Sequence, residues 1–197
     1  CCAGSRLFAH EKVFDQVTEG ISKIASNIKV GPGMDSSTEM GPLVSDEQYQ
    51  KVAGYIESGK SEGGQIIAGG KYDNSNGGHF VHPTVFSKTN QDMTLVKEEI
   101  FGPVVYAQPF SDENLEKIAA EANNTSFGLA ASVWTSNVSV AHKLAAKIRA
   151  GTVWVNCHNI FDASLPFGGY KESGWGREMG HEVLKNYTEC KAVTVNL

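Results

Sequence analysis

The segment that decides the fold runs from residue 128 to residue 156 and reads GLAASVWTSNVSVAHKLAAKIRAGTVWVN. Two short apolar runs, 128–135 and 151–156, flank a stretch whose apolar residues recur at helical spacing: Ala141, Leu144, Ala145 and Ile148. This pattern predicts a strand, a helix and a second strand. Strands joined through a helix run parallel, and ligands meet such sheets at the carboxyl ends of the strands. We therefore expect chemistry from Asn156 onward.

The preceding segments extend this alternation of helices and strands. Apolar residues from 13 to 28 follow one helical face, and that helix should end before Gly31-Pro32-Gly33. A second helix starts with a capping box, in which Ser45 caps a backbone N–H and Gln48 reaches back, and it ends near residues 63–64. Short strand-like runs follow at 65–68, 80–86 and 103–110, and helical spacing resumes at Leu115. The sequence predicts an α/β fold, with a mostly parallel sheet and helices on both faces.

Residues 161–176 form a Gly/Pro-rich segment that fits neither period and carries several aromatic side chains. We expect an ordered loop whose glycines allow close approach to a ligand or a partner chain. The last residues, 192–197, alternate like a strand with nothing after them to pair with. We expect this strand to join another part of the protein or another subunit.

Composition excludes several classes of function. The 197 residues carry a formal charge of −5 without a block of like charges, which argues against nucleic acid or an anionic membrane as a partner. Apolar runs end well before the roughly 20 residues of a membrane span. The four cysteines show no metal-ligand spacing, so we expect no metal, and reduced thiols fit a cytoplasmic location. The opening CCAGSR, without Met, indicates a piece of a longer protein.

Two groups of residues could carry chemistry. Cys1, next to small residues, could be a nucleophile, although a free cysteine is more often a small buried apolar side chain. Glu98 and Glu99 precede Phe101. A carboxylate can accept hydrogen bonds from the hydroxyls of a ribose, and a phenyl ring can pack against a heteroaromatic ring. The alternative is a solvated charge pair before a core phenylalanine. The dinucleotide fingerprint GxGxxG is absent from the sequence.

Six segments together carry a family resemblance: CCAGSR (1–6), EMGPLVS (39–45), EEIFGPV (98–104), FGLAASVWT (127–135), AGTVWVN (150–156) and LPFGGYKESGWGRE (165–178). They occur in the order found in aldehyde dehydrogenases. The chain is identified as a member of the NAD(P)-dependent aldehyde dehydrogenase superfamily, of which it resembles the C-terminal catalytic portion. The resemblance implies a catalytic domain over 1–170 and a C-terminal tail with an oligomerisation strand over 171–197.

The resemblance also implies a reaction and its residues. Cys1 matches the nucleophile, whose thiolate adds to an aldehyde; the adduct expels hydride to the nicotinamide of NAD or NADP, and the resulting thioester is hydrolysed to an acid. Glu99 matches the residue that holds the nicotinamide ribose, Phe101 lies beside the ring, and Gln48 contacts that ribose in some relatives. The aldehyde tunnel is expected to be lined by Phe167, Phe161, Ile160 and Asn159.

Further expectations concern the whole protein. The substrate is a small-molecule aldehyde, and the C-terminal strand builds a homodimer or a homotetramer. The family's cofactor-binding domain and general base lie upstream, so this chain alone should be inactive. Two alternatives remain open: a catalytically silent oligomerisation module, and a relative that passes the acyl group to coenzyme A instead of water.

Overall fold

The computed structural model describes residues 1–75, 77–111 and 115–197. The chain divides into two compact units. The first is Ala3–Glu113, and the second combines Cys1–Cys2 with Asn114–Leu197.

The described part of the first unit holds a four-stranded sheet, a small hairpin and three helices. In chain order these are β1 (Arg6–His10), α1 (Glu11–Asn27), α2 (Asp46–Ser61), β2 (Gln65–Ala68), β3 (Tyr72–Asp73), β4 (Phe80–Val81), β5 (Thr84–Ser87), α3 (Thr94–Lys97) and β6 (Val104–Phe110). The sheet order is β1-β6-β5-β2, with β6 parallel to both β1 and β5 and β2 antiparallel to β5. The predicted α/β class with a parallel-rich sheet is confirmed.

Two details of this unit differ from the prediction. Strand β1 was not foreseen, although it pairs with β6 along its whole length, from Arg6–Tyr106 to His10–Phe110. The run 80–86 is two strands instead of one, since β4 pairs with β3 and β5 joins the main sheet. Pro83 lies between them, and a proline has no N–H to donate to a ladder.

The core of the first unit lies where α2 and α3 pack near β4, β5 and β6. Its completely buried side chains include Val52 and Ile56 of α2 and Phe86 of β5. Full burial of side chains of this size stabilises a fold by about 1.5–3 kcal/mol each. The core therefore fixes α2 firmly, which matters because α2 contacts the candidate site.

Helix α1 behaves differently from α2. Its apolar stripe exists as predicted, but Val13 is 44% and Ile24 is 65% exposed, and only Thr18 in this helix is buried. A groove of about 240 Å³ lies between α1 and the sheet, lined by Ile21, Ile24 and Ile28 among others. Hence α1 covers this face of the sheet incompletely.

The second unit contains the predicted strand, helix and strand. Its elements are α4 (Leu115–Asn123), β7 (Phe127–Gly128), β8 (Ala130–Val133), α5 (Val138–Lys147), β9 (Thr152–Val155), β10 (Tyr170–Lys171), a 3₁₀ turn (His181–Val183) and α6 (Leu184–Tyr187). Strands β8 and β9 are parallel, with Val133 opposite Val155 at their carboxyl ends. The predicted first strand is shorter than expected, because residues 127–128 pair with β10.

The glycine-rich segment is ordered, as predicted, but the glycines Gly168 and Gly169 approach the chain itself. A Cβ atom on Gly168 would lie 2.6 Å from the carbonyl oxygen of Gly176, and one on Gly169 would lie 2.6 Å from that of Ser173. The side chain of Lys171 donates to the carbonyls of Asn123 and Thr125, at 2.8 and 2.9 Å. These contacts fold the segment back onto its own unit.

Residues 188–197 belong to no helix or strand. Val193 and Val195 are 77% and 72% exposed. The predicted terminal strand finds no partner strand among the described residues, so its pairing with another chain stays a prediction.

Candidate active site

Cys1 is an exposed, free thiol at the start of the second unit. The neighbouring carbonyl of Cys2 lies 2.8 Å from Nε2 of His158. Because a carbonyl oxygen only accepts hydrogen bonds, Nε2 must carry the proton in this pair. His158 therefore anchors the backbone next to the thiol, while its buried Nδ1 has no hydrogen-bond partner among the residues that the structure describes.

The turn after β9 sets the position of His158. Asn156 and Asn159 both adopt left-handed backbone conformations, with φ of 53° and 60°, which asparagine tolerates better than most residues. The side chain of Asn156 accepts from the N–H of Thr135 and donates to its carbonyl, each at 2.9 Å. The two strand ends are thereby tied together. The segment from Asn156 onward, where the sequence predicts chemistry, therefore begins with a turn that is held by side-chain hydrogen bonds.

An aromatic cluster surrounds the turn. The Trp154 ring meets His158 and Phe161 edge-on, with centroids 5.0 and 5.5 Å apart, and Phe161 meets Phe167 at 5.3 Å. The indole N–H of buried Trp154 donates to the carbonyl of Ile160 at 2.7 Å. Edge-to-face pairs of this kind add about 0.5–1.5 kcal/mol each beyond area burial. The cluster therefore holds the loop that carries Ile160 and Phe161 in one arrangement.

Phe167 is fixed from a second direction. Its N–H and carbonyl form two 2.7 Å hydrogen bonds with the backbone of Glu178. Phe161 remains 48% and Ile160 64% exposed, and Asn159 is exposed as well. The structure therefore brings Phe161 and Phe167 into contact and leaves Asn159 and Ile160 beside them with accessible side chains.

In the first unit, Glu99 and Phe101 lie on the loop between α3 and β6. Glu99 is exposed, Ile100 is buried in the core, and Phe101 presents 55% of its surface. Phe101 has φ of 55°, a left-handed conformation that costs a phenylalanine about 1–3 kcal/mol. Something must hold the backbone in this shape.

Helix α2 supplies that support through Gln48. The side-chain amide of Gln48 donates to the carbonyls of Ile100 and Phe101, at 3.2 and 2.9 Å. Net contributions of about 0.5–1.5 kcal/mol per hydrogen bond are comparable to the cost of the left-handed residue. The second half of the predicted capping box is wrong, since Ser45 does cap the N–H of Gln48 but the Gln48 side chain turns to this loop. Its amide does so because two carbonyls here need donors.

A second contact joins α2 to the same loop. The Tyr55 hydroxyl donates to the Glu98 carboxylate at 2.7 Å. Burial, the hydrogen bond to Glu98 and the charges of Glu98 and Glu99 raise the pKa of Tyr55 to about 12. The hydroxyl therefore stays a donor throughout the neutral pH range.

The predicted site residues thus fall into two groups. Cys1, Asn159, Ile160, Phe161 and Phe167 belong to the second unit, and Gln48, Glu99 and Phe101 belong to the first. Sequence reasoning missed the contacts of His158, Trp154 and Tyr55. Trp154 and His158 follow the predicted strand closely enough to have been candidates, whereas Tyr55 carries no local signal, because its partner lies 43 positions away.

The exposed pair of Glu99 and Phe101 fits a nicotinamide nucleotide chemically. A carboxylate can accept from ribose hydroxyls, and a phenyl face held by the backbone can support a flat heteroaromatic ring.

Within 1–75, 77–111 and 115–197, no group of three or more His, Cys, Asp or Glu residues is arranged to hold a metal ion. In the same ranges no helix has both the length and the apolar character needed to cross a membrane.

Comparison with known proteins gives a consistent result. The model of the aldehyde dehydrogenase family matches residues 1–193. An aldehyde dehydrogenase of Bacillus cereus, solved as an NAD+ complex, is 52% identical, with a TM-score of 0.94; the match covers 100% of this chain and 40% of that one. Betaine aldehyde dehydrogenase of Staphylococcus aureus, solved in complex with NAD+, is 37% identical, with a TM-score of 0.88, over 95% of this chain and 37% of that one.

A human relative, the mitochondrial aldehyde dehydrogenase, is 46% identical over 100% of this chain, and the match covers 38% of the human protein. The chain therefore spans about two fifths of the length of these relatives. The likeness extends over the strand-helix-strand segment, the turn after β9 and the loop of Glu99, since the family match includes all three.

Proposed function

Because the chain belongs to the aldehyde dehydrogenase family, we propose that it supplies the nucleophile and the nicotinamide-ribose contacts of an enzyme that oxidises an aldehyde to a carboxylic acid with NAD+ or NADP+. One observation carries the proposal. The exposed thiol of Cys1, the histidine that anchors its backbone and the aromatic cluster all belong to one unit. The reaction needs a nucleophile and an apolar binding surface for the aldehyde, and both are present in this unit.

The first step is addition of the Cys1 thiolate to the aldehyde carbonyl carbon. A C–S bond forms, the carbonyl π bond breaks, and the oxygen takes the negative charge. Phe161, Phe167 and Ile160 present an apolar surface to the substrate side chain, and Asn159 adds a polar group beside it. His158 fixes the Cys2 carbonyl and so restricts the backbone that carries the thiol.

In the second step the oxygen lone pair re-forms the carbonyl and the hydrogen leaves as hydride. The nicotinamide ring, when bound, accepts that hydride. Glu99 would accept hydrogen bonds from the ribose hydroxyls and Phe101 would support the ring, so both residues would orient the acceptor. Gln48 completes this group, either at the ribose or through the loop. Water then attacks the Cys1 thioester, releasing the acid and the thiol.

The finer parts of the proposal concern the assembly and its environment. We divide the chain into a catalytic domain (1–170) and a tail (171–197) whose last residues add a strand to a neighbouring subunit of a homodimer or homotetramer. The alternation and exposure of Val193, Val195 and Leu197 support this role. The four free cysteines support a cytoplasmic location.

The experiment that tests the proposal replaces the Cys1 thiol and measures both reaction products. The full-length protein is mixed with NAD+ or NADP+ and a series of aldehydes, and reduced nicotinamide and acid are quantified. Cys1→Ser should abolish both products while cofactor binding is retained. Cys190→Ser, which alters another exposed free thiol, should leave the rate unchanged. Turnover that survives in Cys1→Ser would remove Cys1 from its role.

The same assay separates the alternatives. A wild-type protein that binds the cofactor but oxidises no aldehyde would favour a silent oligomerisation module. Acyl transfer to added coenzyme A in place of acid would favour the acylating type of relative.

A further inference from the structure

Three residues on one face of α2 contact the loop that carries Glu99 and Phe101. Gln48, Val52 and Tyr55 are spaced by four and three positions, which places them on the same side of the helix. Gln48 reaches the carbonyls of Ile100 and Phe101, and Tyr55 reaches the carboxylate of Glu98. Glu99 therefore lies between two segments that are each tied to α2.

The middle contact is steric. A Cβ atom on Gly102 would lie 2.6 Å from Cγ2 of Val52, so the loop backbone passes directly over the helix. Val52 is completely buried and Ile100 is only 6% exposed, so neither side chain has space to move. Small displacements of the loop are resisted here by packing, while the hydrogen bonds on either side set its direction.

The polar contacts are not required for burial. Glu98 is exposed and its carboxylate could be solvated by water, and Tyr55 is only half-buried. Helix α2 is already held by the core through Val52 and Ile56. The two polar side chains therefore add little to the attachment of α2 and act chiefly on the loop.

We infer that Gln48 and Tyr55 are positioning residues, which hold the backbone of 98–101 so that Glu99 and Phe101 present their side chains to the nicotinamide ribose and ring. This inference rests on the proposed function and adds to it a second role for Gln48 and a first role for Tyr55. Tyr55 acts through Glu98 and Gln48 through two carbonyls, so neither needs to touch the cofactor.

The test compares two pairs of variants in the full-length protein. Tyr55→Phe and Gln48→Met remove the donors and keep side chains of similar size. Tyr72→Phe and Gln50→Met are matched controls that affect the same helix, because Tyr72 donates to Glu57 and Gln50 to Asp46, both away from the loop. Tyr55→Trp keeps an aromatic ring but carries an N–H donor at a different position, so it tests whether the position of the donor matters.

Hydride transfer is measured in a single turnover with excess NAD+, with the aldehyde and with its deuterated form. Tyr55→Phe and Gln48→Met should each lower the rate constant about tenfold, because a misplaced acceptor strongly slows a reaction between bound groups. They should also increase the isotope effect on this single-turnover rate constant, and the controls should match the wild type. A purely structural role would lower the amplitude and leave the rate constant unchanged.

A second measurement does not depend on catalysis. Hydrogen exchange of the peptide covering 98–103 should be faster in Tyr55→Phe and Gln48→Met than in the wild type, and unchanged in both controls. Wild-type exchange together with wild-type rate constants in these variants would overturn the inference. A slow rate constant in Gln48→Met alone would also overturn it, since that result means direct contact with the ribose. Absence of nicotinamide reduction in the wild type would instead refute the proposed function, whatever the exchange data show.

Discussion

A Cβ atom placed on Gly151 would lie 1.6 Å from the carbonyl oxygen of Gly168. The start of β9 and the glycine-rich segment are therefore in backbone contact, although 17 positions separate them in the sequence. A Cβ atom on Gly128 would likewise lie 2.4 Å from the carbonyl oxygen of Arg149. These glycines belong to three of the segments that identify the family, and their common role here is to let backbones meet.

The first prediction concerns this contact. Gly151→Ala should lower the free energy of unfolding by about 3 kcal/mol or more, because the obstacle is backbone, which cannot rotate away as a side chain does. Gly54→Ala on α2 is the matched control, since no atom of the described residues, beyond its chain neighbours and its own helix backbone, lies within 4 Å of its Cβ position. It should be neutral or stabilise the protein by about 0.5–1 kcal/mol. Urea unfolding of both variants checks the result, and equal stabilities would contradict the geometry.

His158 provides a second prediction. His158→Phe keeps an aromatic ring against Trp154 and removes the donor to the Cys2 carbonyl. We expect kcat/KM for aldehyde oxidation to fall up to about tenfold, which is the effect of losing one hydrogen bond that orients the proposed nucleophile. Alkylation of Cys1 should slow as well. His142→Phe, at an exposed position of α5, should change neither rate. Wild-type alkylation in His158→Phe would show that this contact is dispensable.

The role of Glu99 can be tested separately from folding. Since its side chain is exposed, Glu99→Ala should change the free energy of unfolding by no more than about 0.5 kcal/mol. Hydride transfer should nevertheless slow by about a hundredfold, because the acceptor loses its orientation. Glu47→Ala on α2 is an exposed control that should keep the wild-type rate of hydride transfer. Unaltered single-turnover kinetics in Glu99→Ala would reject the assignment.

The aromatic cluster predicts which substrates are accepted. Phe161→Ala opens space next to Phe167 and should improve kcat/KM for bulky aldehydes relative to small ones. The change in preference should be about ten- to two-hundredfold, the usual limit for apolar discrimination. Competition between a short and an aromatic aldehyde measures it. If the ratio stays that of the wild type, Phe161 does not line the path of the substrate.

Tyr55 gives a pH-dependent prediction. Its pKa is about 12 in the folded protein, mainly because of burial and then because of the hydrogen bond to Glu98, whereas an unfolded tyrosine has a pKa of about 10. As the pH rises, the unfolded chain therefore releases this proton first. The contribution of Tyr55 to stability is complete below about pH 10 and is lost as the pH approaches about 12. Urea unfolding at about pH 8 and about pH 11 should show a steeper loss for the wild type than for Tyr55→Phe. Parallel losses would place the pKa of Tyr55 near its ordinary value.

Local patterns were sufficient for most of the helices and for the parallel pair β8–β9. Helical spacing and caps depend on neighbours within a few positions, so the bounds of α1 and α2 followed closely. Strand β1 was not predicted because five residues directly before a helix show only a weak alternating pattern. Its partner strand β6 lies 100 positions further along the sequence. The hairpin of β3 and β4 was missed for a similar reason, since two-residue strands show no alternation.

The sequence by itself determined the class of fold, the family and the residue types at the candidate site, because these depend on composition, period and the order of short segments. Tertiary structure alone decided that Gln48 turns away from its own helix end to the carbonyls of Ile100 and Phe101. It likewise decided that His158 anchors the backbone beside Cys1. The reason is that a hydrogen bond forms wherever an unsatisfied donor meets an acceptor, and over such separations only the packed chain determines where they meet.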